Sequence, residues 1–117
     1  MEVIDKTMIS NIISNSLTQA ISYNDYRALV SQLVAEQSTT GNEKTESLIN
    51  YTVLNDRRMK RWDKTVKLSD EAKGKIQNFK NKVTWLVLTE SWCGDAEHIM
   101  PVINKVAELN DNIDYKV

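Results

Sequence analysis

The chain has 117 residues, of which 41% are hydrophobic and 26% are charged, a composition typical of one modest globular domain. Fifteen basic and sixteen acidic residues give a net charge of -1, so overall charge offers no attraction for nucleic acid or an anionic membrane. The sequence also lacks the run of about 18 apolar residues that would span a membrane. We therefore expect neither nucleic acid nor a membrane as a partner.

The first two thirds of the chain are predicted to be helical. Apolar residues recur at helical spacing, and candidate N-caps precede two of the apolar stripes, Ser22 or Asn24 in one case and Ser69 in the other. Four helices are predicted: residues 4–17, a segment capped by Ser22 or Asn24, residues 44–62, and a segment from Ser69 to Asn81. In the third of these, the residues predicted to face the core are Leu48, Tyr51, Leu54 or Asn55, Met59 and Trp62. We interpret residues 1–81 as a helical N-terminal extension with a structural role.

The pattern changes at Lys82, where a β-prone run over residues 83–89 predicts a strand that is covered on both faces. A helical stripe follows and ends near Asn110, and residues 113–117 alternate apolar and polar side chains like a second strand. The two strands joined by a helix predict a βαβ unit with parallel strands over residues 82–117. Three glycines and one proline in the whole chain argue against a hairpin-rich all-β fold. The fold class is therefore predicted to be α/β.

Cys93 is the only cysteine, and it falls at the predicted junction between the first strand and the following helix. Free backbone N–H groups and the positive end of the helix dipole can stabilise a thiolate there. The alternative is a small buried residue with an inert thiol. Asp95 lies two residues further on, where its carboxylate either opposes a thiolate or simply stabilises the first helical turn. A single cysteine excludes an internal disulfide and fits a reducing compartment, so we expect a cytoplasmic protein.

The segment Trp92-Cys93-Gly94-Asp95-Ala96 resembles the Trp-Cys-Gly-Pro-Cys active site of the thioredoxin fold. Pro101 strengthens the likeness, because thioredoxins also carry a helix-kinking proline eight residues after this cysteine. The chain is most similar to a thioredoxin-like branch that has a Trp-Cys-Gly-Asp-Ala motif and a helical N-terminal extension. Positions in the extension that match this branch are Tyr26-Arg27, Thr40-Gly41, Tyr51, Leu54-Asn55, Arg58-Met59 and Arg61.

The resemblance implies a partial thioredoxin-like fold, because the chain stops at Val117 after the second strand. A complete domain of this kind would continue through a helix, a cis-proline loop, two antiparallel strands and a final helix. We therefore expect a fragment or truncated product. An unpaired edge along residues 113–117 would favour self-association, so a homo-oligomer formed through this edge is one expected assembly.

The resemblance also implies thiol–disulfide chemistry through Cys93, with Trp92, Gly94, Asp95 and Ala96 shaping the site. Ala96 stands where a resolving cysteine would stand, so redox turnover would be monothiol and would need an external thiol. The expected partners are a protein disulfide or a low-molecular-weight thiol such as glutathione, with no cofactor. The sequence leaves open whether the chain is an enzyme. The alternative function is a redox-inactive thioredoxin-fold module that binds proteins.

His98, the only histidine, is interpreted as a surface residue paired with Asp95 rather than as a catalytic base. One cysteine and one histidine cannot fill a tetrahedral zinc site, so no metal site is predicted. An iron–sulfur cluster of the monothiol glutaredoxin kind is disfavoured, because residues 93–96 depart from the Cys-Gly-Phe-Ser motif. A basic run over residues 57–64 is interpreted as a solvated helix face.

Overall fold

The structure is a computed structural model, which describes residues 5–117. The described part contains five helices and one parallel two-stranded sheet. In chain order the elements are α1 (Lys6–Gln19), α2 (Tyr23–Ala35), α3 (Glu46–Thr65), α4 (Asp70–Gln77), β1 (Val83–Leu86), α5 (Gly94–Glu108) and β2 (Ile113–Lys116). The predicted α/β class, with helices first and a βαβ unit last, is confirmed. The predicted first turn at Ile4 lies outside the described residues.

Side-chain oxygens cap the first four helices, and the caps of α2 and α4 are among those that the sequence predicts. Asp5, Ser22, Thr45 and Ser69 each accept a hydrogen bond from the backbone N–H three residues later. Each cap satisfies one of the N–H groups that a helix start leaves without an intrahelical partner. Of the two predicted caps for α2, the structure selects Ser22. The fourth helix ends at Gln77, earlier than the predicted Asn81.

The sheet pairs β1 with β2 in parallel, with Val83 opposite Ile113 and Leu86 opposite Lys116. One further ladder bond runs from Val87 N to Lys116 O at 2.9 Å. The strand β1 is shorter than the predicted run over residues 83–89 because the chain then leaves the sheet for the segment that carries the cysteine.

The expectation of a bare edge along residues 113–117 is wrong at its C-terminal end. Ile21 N donates to Val117 O at 3.0 Å, and Val117 N donates to Ile21 O at 2.8 Å. Ser22 also forms an antiparallel bridge with Lys116. The short link between α1 and α2 therefore covers this end of β2, which the sequence pattern could not reveal because the partners lie almost a whole chain apart.

The buried hydrophobic core joins α2 to the βαβ unit. Tyr23, Tyr26 and Val30 of α2 pack with Met100 of α5 and Tyr115 of β2, and Met59 of α3 completes the cluster. The rings of Tyr23 and Tyr115 stack with their centroids 5.7 Å apart. The predicted extension and the βαβ unit thus share one core.

The inward face of α3 differs from the predicted one. Met59 and Asn55 are buried as expected, but the other buried residues of this helix are Thr52 and Asp56. Tyr51 is 54% exposed, and Leu54 and Trp62 are exposed to 38% and 39%. The polar face can turn inward because its side chains find hydrogen-bond partners, as in the pairing of Asp56 with Arg27 at 3.0 Å.

The helix α1 contributes no buried residue. Its apolar side chains Met8, Ile9, Ile12 and Ile13 are all exposed. Within residues 5–117, no helix is both long enough and apolar enough to cross a membrane.

Candidate functional site

Cys93 is the N-cap residue of α5, at the junction between the β1 segment and the helix that the sequence predicts. Its backbone is extended, with φ -75° and ψ 112°, and its N–H donates to Glu90 O at 3.0 Å. The residue is partly exposed and its thiol is free. Cys93 is therefore neither a fully buried residue nor placed inside an element.

The start of α5 has no side-chain cap hydrogen bond. The N–H groups of its first turn are therefore not satisfied by a cap, and a helix N-terminus carries about half a positive elementary charge. Asp95 and Glu97 lie in the same turn and contribute negative charge. A thiolate at Cys93 would gain from the backbone amides and lose from Asp95, which is exposed.

Ser91 anchors the segment before the cysteine to the helical part of the chain. Its hydroxyl lies 2.9 Å from the hydroxyls of both Thr39 and Thr52, and it accepts a hydrogen bond from Thr40 N at 3.0 Å. The side-chain amide of Asn55 donates to Ser91 O at 3.0 Å. Ser91 is 2% exposed, so these polar contacts replace water and fix the position of the loop.

The link between α2 and α3 holds Glu90 in the same way. Thr40 Oγ1 donates to Glu90 Oε2 and accepts a hydrogen bond from Ser91 N at 2.8 Å. Gly41 has a φ of 83°, a left-handed conformation that other residues rarely adopt. An added Cβ there would lie 3.4 Å from Glu90 Oε2, so glycine also allows the close approach. The predicted break at residues 39–42 is therefore part of the support for the cysteine segment.

A groove of about 480 Å³ opens beside the thiol. One wall comes from α3 and the other from the cysteine segment and the first residues of α5. The residues that line it are Leu48, Tyr51, Leu54, Asn55, Arg58, Trp92, Cys93, Gly94 and Asp95. The groove combines exposed apolar side chains with one cation and one carboxylate, so a small molecule or a short chain segment has room to reach the sulfur.

Glu97 is a buried carboxylate that the sequence patterns did not single out, and it lies fully buried between α5 and α3. Its Oε1 accepts a hydrogen bond from Arg58 Nη1 at 2.8 Å, and His98 Nε2 lies 3.1 Å from the same oxygen. Its Oε2 is buried and has no hydrogen-bond partner within residues 5–117. Position 97 falls on the same helical face as the buried Met100 and Pro101, and a carboxylate at such a position is the signal that could have revealed it.

A tyrosine from α2 also lies within the electrostatic influence of the thiol. Burial raises the pKa of Tyr26 to about 12, and the nearby Glu90 and Cys93 shift it in the same direction. Burial likewise raises the pKa of Tyr115 and of Tyr23, whose hydroxyl donates to Asp63 Oδ1 at 2.7 Å. These phenols stay neutral at physiological pH.

A protein-family model described as thioredoxin matches residues 41–117. The chain belongs to the thioredoxin family. A search of curated proteins and a search of solved structures each returned no match. The matched region begins before α3, so it includes two helices of the predicted extension. The division between residues 81 and 82 stays a prediction, as does assignment to the Trp-Cys-Gly-Asp-Ala branch.

The remaining predicted site residues of this thioredoxin-family chain surround the sulfur in different ways. Trp92 is 37% exposed and lines the groove, as does the exposed Asp95. Gly94 opens α5 with free space around it, since nothing lies within 4 Å of an added Cβ. Ala96 is partly buried and packs against the core. Their roles in a reaction stay predictions.

His98 is exposed as expected, but its predicted pairing with Asp95 is wrong. The imidazole Nε2 lies 3.1 Å from Glu97 Oε1, and the ring lies edge-on to Trp62 with ring centroids 6.0 Å apart. Within the part of the chain that the structure describes, no group of three or more His, Cys, Asp or Glu residues could hold a metal ion.

Proposed function

We propose that this thioredoxin-family chain is a monothiol thiol–disulfide oxidoreductase that acts through Cys93. The observation that carries the proposal is the position of a partly exposed cysteine at a helix start that no side chain caps. A thiolate there can accept hydrogen bonds from the backbone N–H groups of the first helical turn. At the other four helices, an Asp, Ser or Thr oxygen accepts the corresponding hydrogen bond. The groove beside it gives a substrate disulfide access.

The reaction has two exchanges. In the first, the Cys93 thiolate attacks one sulfur of a substrate disulfide, a mixed disulfide forms, and the other substrate sulfur leaves as a thiolate that takes a proton from water. In the second, an external thiolate attacks the substrate sulfur of the mixed disulfide. Cys93 then leaves as a thiolate, and the substrate stays bonded to the external thiol. A further molecule of that thiol releases the reduced substrate and forms the external disulfide, so two external thiols supply the two electrons.

The external thiol is needed because Ala96 occupies the position from which a second cysteine would release the mixed disulfide. Glutathione is the thiol class proposed for this role, and a protein disulfide is the proposed substrate. Both fit the reducing, cytoplasmic setting expected for a chain with one cysteine. Self-association through the sheet edge is proposed only for the part of β2 that Ile21 and Ser22 do not cover.

The first experiment measures the rate of Cys93 alkylation by iodoacetamide between pH 5 and pH 10. The folded chain should be alkylated faster than the denatured chain near neutral pH, because free backbone N–H groups at the helix start stabilise the thiolate. Denatured protein is the matched control, because it keeps the sequence and loses the helix. Alkylation that follows the denatured profile, or that rises only at higher pH, contradicts the proposal and favours the redox-inactive binding module.

The second experiment tests the monothiol step by following reduction of a model disulfide with and without glutathione. Turnover should require glutathione as the electron donor, whereas Ala96→Cys at stoichiometric concentration should release the reduced substrate in one round without glutathione, because the introduced thiol breaks the mixed disulfide and is left in a disulfide with Cys93. Ala96→Ser controls for the added bulk and polarity at this partly buried position. Release of both substrate thiols by the unsubstituted chain in a single round without any external thiol would exclude the monothiol mechanism.

A further inference from the structure

We propose that Arg58, held by the buried carboxylate of Glu97, determines the specificity of the Cys93 groove for thiols and disulfides that carry a carboxylate close to the sulfur. The inference rests on the proposed function and adds a substrate class to it. It also gives the extension helix α3 a role at the site, since Arg58 belongs to that helix. A low-molecular-weight thiol with its own carboxylates meets this description.

Glu97 fixes the position of the arginine. The Glu97 side chain is 0% exposed, and a buried carboxylate needs a cationic partner or hydrogen-bond donors. Arg58 Nη1 supplies one charge-assisted bond at 2.8 Å to Oε1. Since Oε2 has no partner in the described chain, Glu97 has few alternatives to this contact. The guanidinium is therefore preorganised before any ligand arrives.

Arg58 keeps donors available for a ligand. Its Nη1 is the only guanidinium nitrogen with a hydrogen bond to the chain over residues 5–117, which leaves the Nε and Nη2 donors for another acceptor. The side chain is 48% exposed and lines the groove together with Cys93. A planar fork of N–H donors is the geometry that binds a carboxylate best.

Asp95 acts against this selection because its exposed carboxylate lines the same groove. Glu97 further reduces the net charge near Arg58. The groove therefore does not attract anions in general, and selection depends on a directed hydrogen bond from Arg58 at short range. This balance makes a clear prediction: removing Arg58 and removing Asp95 should change carboxylate preference in opposite directions.

The step affected is the second exchange of the proposed reaction. The external thiolate attacks the substrate sulfur of the mixed disulfide, a new S–S bond forms, and the bond to Cys93 breaks with the electron pair on Cys93. Arg58 takes no proton and forms no covalent bond. It holds the carboxylate of the incoming thiol so that the attacking sulfur faces the mixed disulfide.

The test compares alkylation of Cys93 by iodoacetate, which carries a carboxylate, with alkylation by neutral iodoacetamide, on the full chain. Arg58→Gln should lower the iodoacetate-to-iodoacetamide rate ratio by about 3- to 10-fold, because a charge-assisted bond is lost. Asp95→Asn should raise the ratio. Arg57→Gln is the matched control, since Arg57 is an exposed arginine of α3 that does not line the groove. It should leave the ratio unchanged.

A second measurement uses turnover with glutathione and with neutral 2-mercaptoethanol as the external thiol. Arg58→Gln should raise the KM for glutathione by a similar factor and leave the KM for 2-mercaptoethanol unchanged. Arg58→Lys should keep part of the preference, since it keeps the charge and loses the fork. Circular dichroism checks that each variant folds.

Three results would overturn the inference. They are a rate ratio that does not respond to Arg58→Gln, an equal fall in both alkylation rates, and an equal response to Arg57→Gln. An equal fall in both rates would assign Arg58 a structural role. A thiol that alkylates as in the denatured chain contradicts the proposed function itself, so the two failures are distinguishable.

Discussion

The first four helices and α5 begin in different ways. Asp5, Ser22, Thr45 and Ser69 cap α1 to α4 with an oxygen that accepts a backbone hydrogen bond, whereas Cys93 occupies the same position in α5 without such a bond. An oxygen cap stabilises a helix by about 1 kcal/mol. A sulfur in its place forgoes this stabilisation and leaves the amides free for a thiolate. The comparison shows that four helix starts are stabilised by a side-chain cap, whereas the start of α5 leaves its backbone N–H groups without a side-chain partner.

The same contrast extends to the surroundings of these helix starts. The Asp5 and Thr45 caps are local and use N–H groups three residues away. The segment that leads into Cys93 is instead held by contacts to residues about 50 positions earlier, such as the bond from Thr40 N to Ser91 Oγ. The segment before Cys93 is therefore fixed by tertiary contacts, while the start of α5 stays uncapped.

The largest expected effect comes from Cys93→Ser, which replaces the uncapped start of α5 with a serine N-cap. Disulfide reduction should fall to the background rate, because an alcohol does not exchange with disulfides. The free energy of unfolding should stay the same or rise by up to about 1 kcal/mol, since serine is a favoured N-cap. Turnover and urea denaturation check the two effects. Residual turnover above background would show that Cys93 is not the nucleophile.

Ser91→Ala should destabilise the fold more than the cap substitutions do. It removes the shared partner of the buried Thr39 and Thr52 hydroxyls and of Thr40 N, so the free energy of unfolding should fall by about 2–3 kcal/mol. Urea denaturation measures the loss. The control Ser47→Ala, at an exposed position of α3, should change stability by less than about 0.5 kcal/mol. Equal effects would contradict the anchoring role of Ser91.

Alkaline pH should weaken the core through Tyr26, which links the capped helix α2 to the start of α5. Its pKa is raised to about 12, so the folded chain keeps the proton after the unfolded chain loses it near pH 10. The free energy of unfolding is then fully retained below about pH 10 and falls as the pH rises toward 12. Urea denaturation at pH 9 to pH 12 should show a shallower fall for Tyr26→Phe, by up to about 2 kcal/mol at the alkaline end.

Tyr23 and Tyr115 also have raised pKa values, so Tyr26→Phe should reduce this pH dependence without removing it. Tyr51→Phe is the matched control, because Tyr51 is exposed. An unchanged slope in Tyr26→Phe would mean that Tyr26 ionises equally in the folded and unfolded chains.

The smallest expected effect tests the caps directly. Thr45→Ala should lower the free energy of unfolding by about 1 kcal/mol, since it removes the hydrogen bond to Leu48 N at 3.2 Å. Cys93→Ala removes no cap bond, so its loss should be smaller than that of Thr45→Ala. Thermal unfolding of the two variants measures the difference. A larger loss in Cys93→Ala would show that the thiol already stabilises the helix start.

Much of this molecule follows from local sequence. The caps of α2 and α4, the break at residues 39–42 and the order strand–helix–strand depend on neighbouring residues, and the structure confirms them. The position of Cys93 at a strand-to-helix junction is equally local, because an apolar run followed by a helical stripe predicts it. Family membership also follows from the sequence, through the match over residues 41–117.

The tertiary structure alone decided which face of α3 turns inward and what surrounds the sulfur. Periodicity places Tyr51 and Leu54 in the core, but both line the exposed groove instead. The bond between Arg58 and Glu97 joins residues 39 positions apart, and the bond between Thr40 N and Ser91 Oγ joins residues 51 apart. Polar residues are buried only where a distant partner satisfies them, and no local pattern identifies that partner.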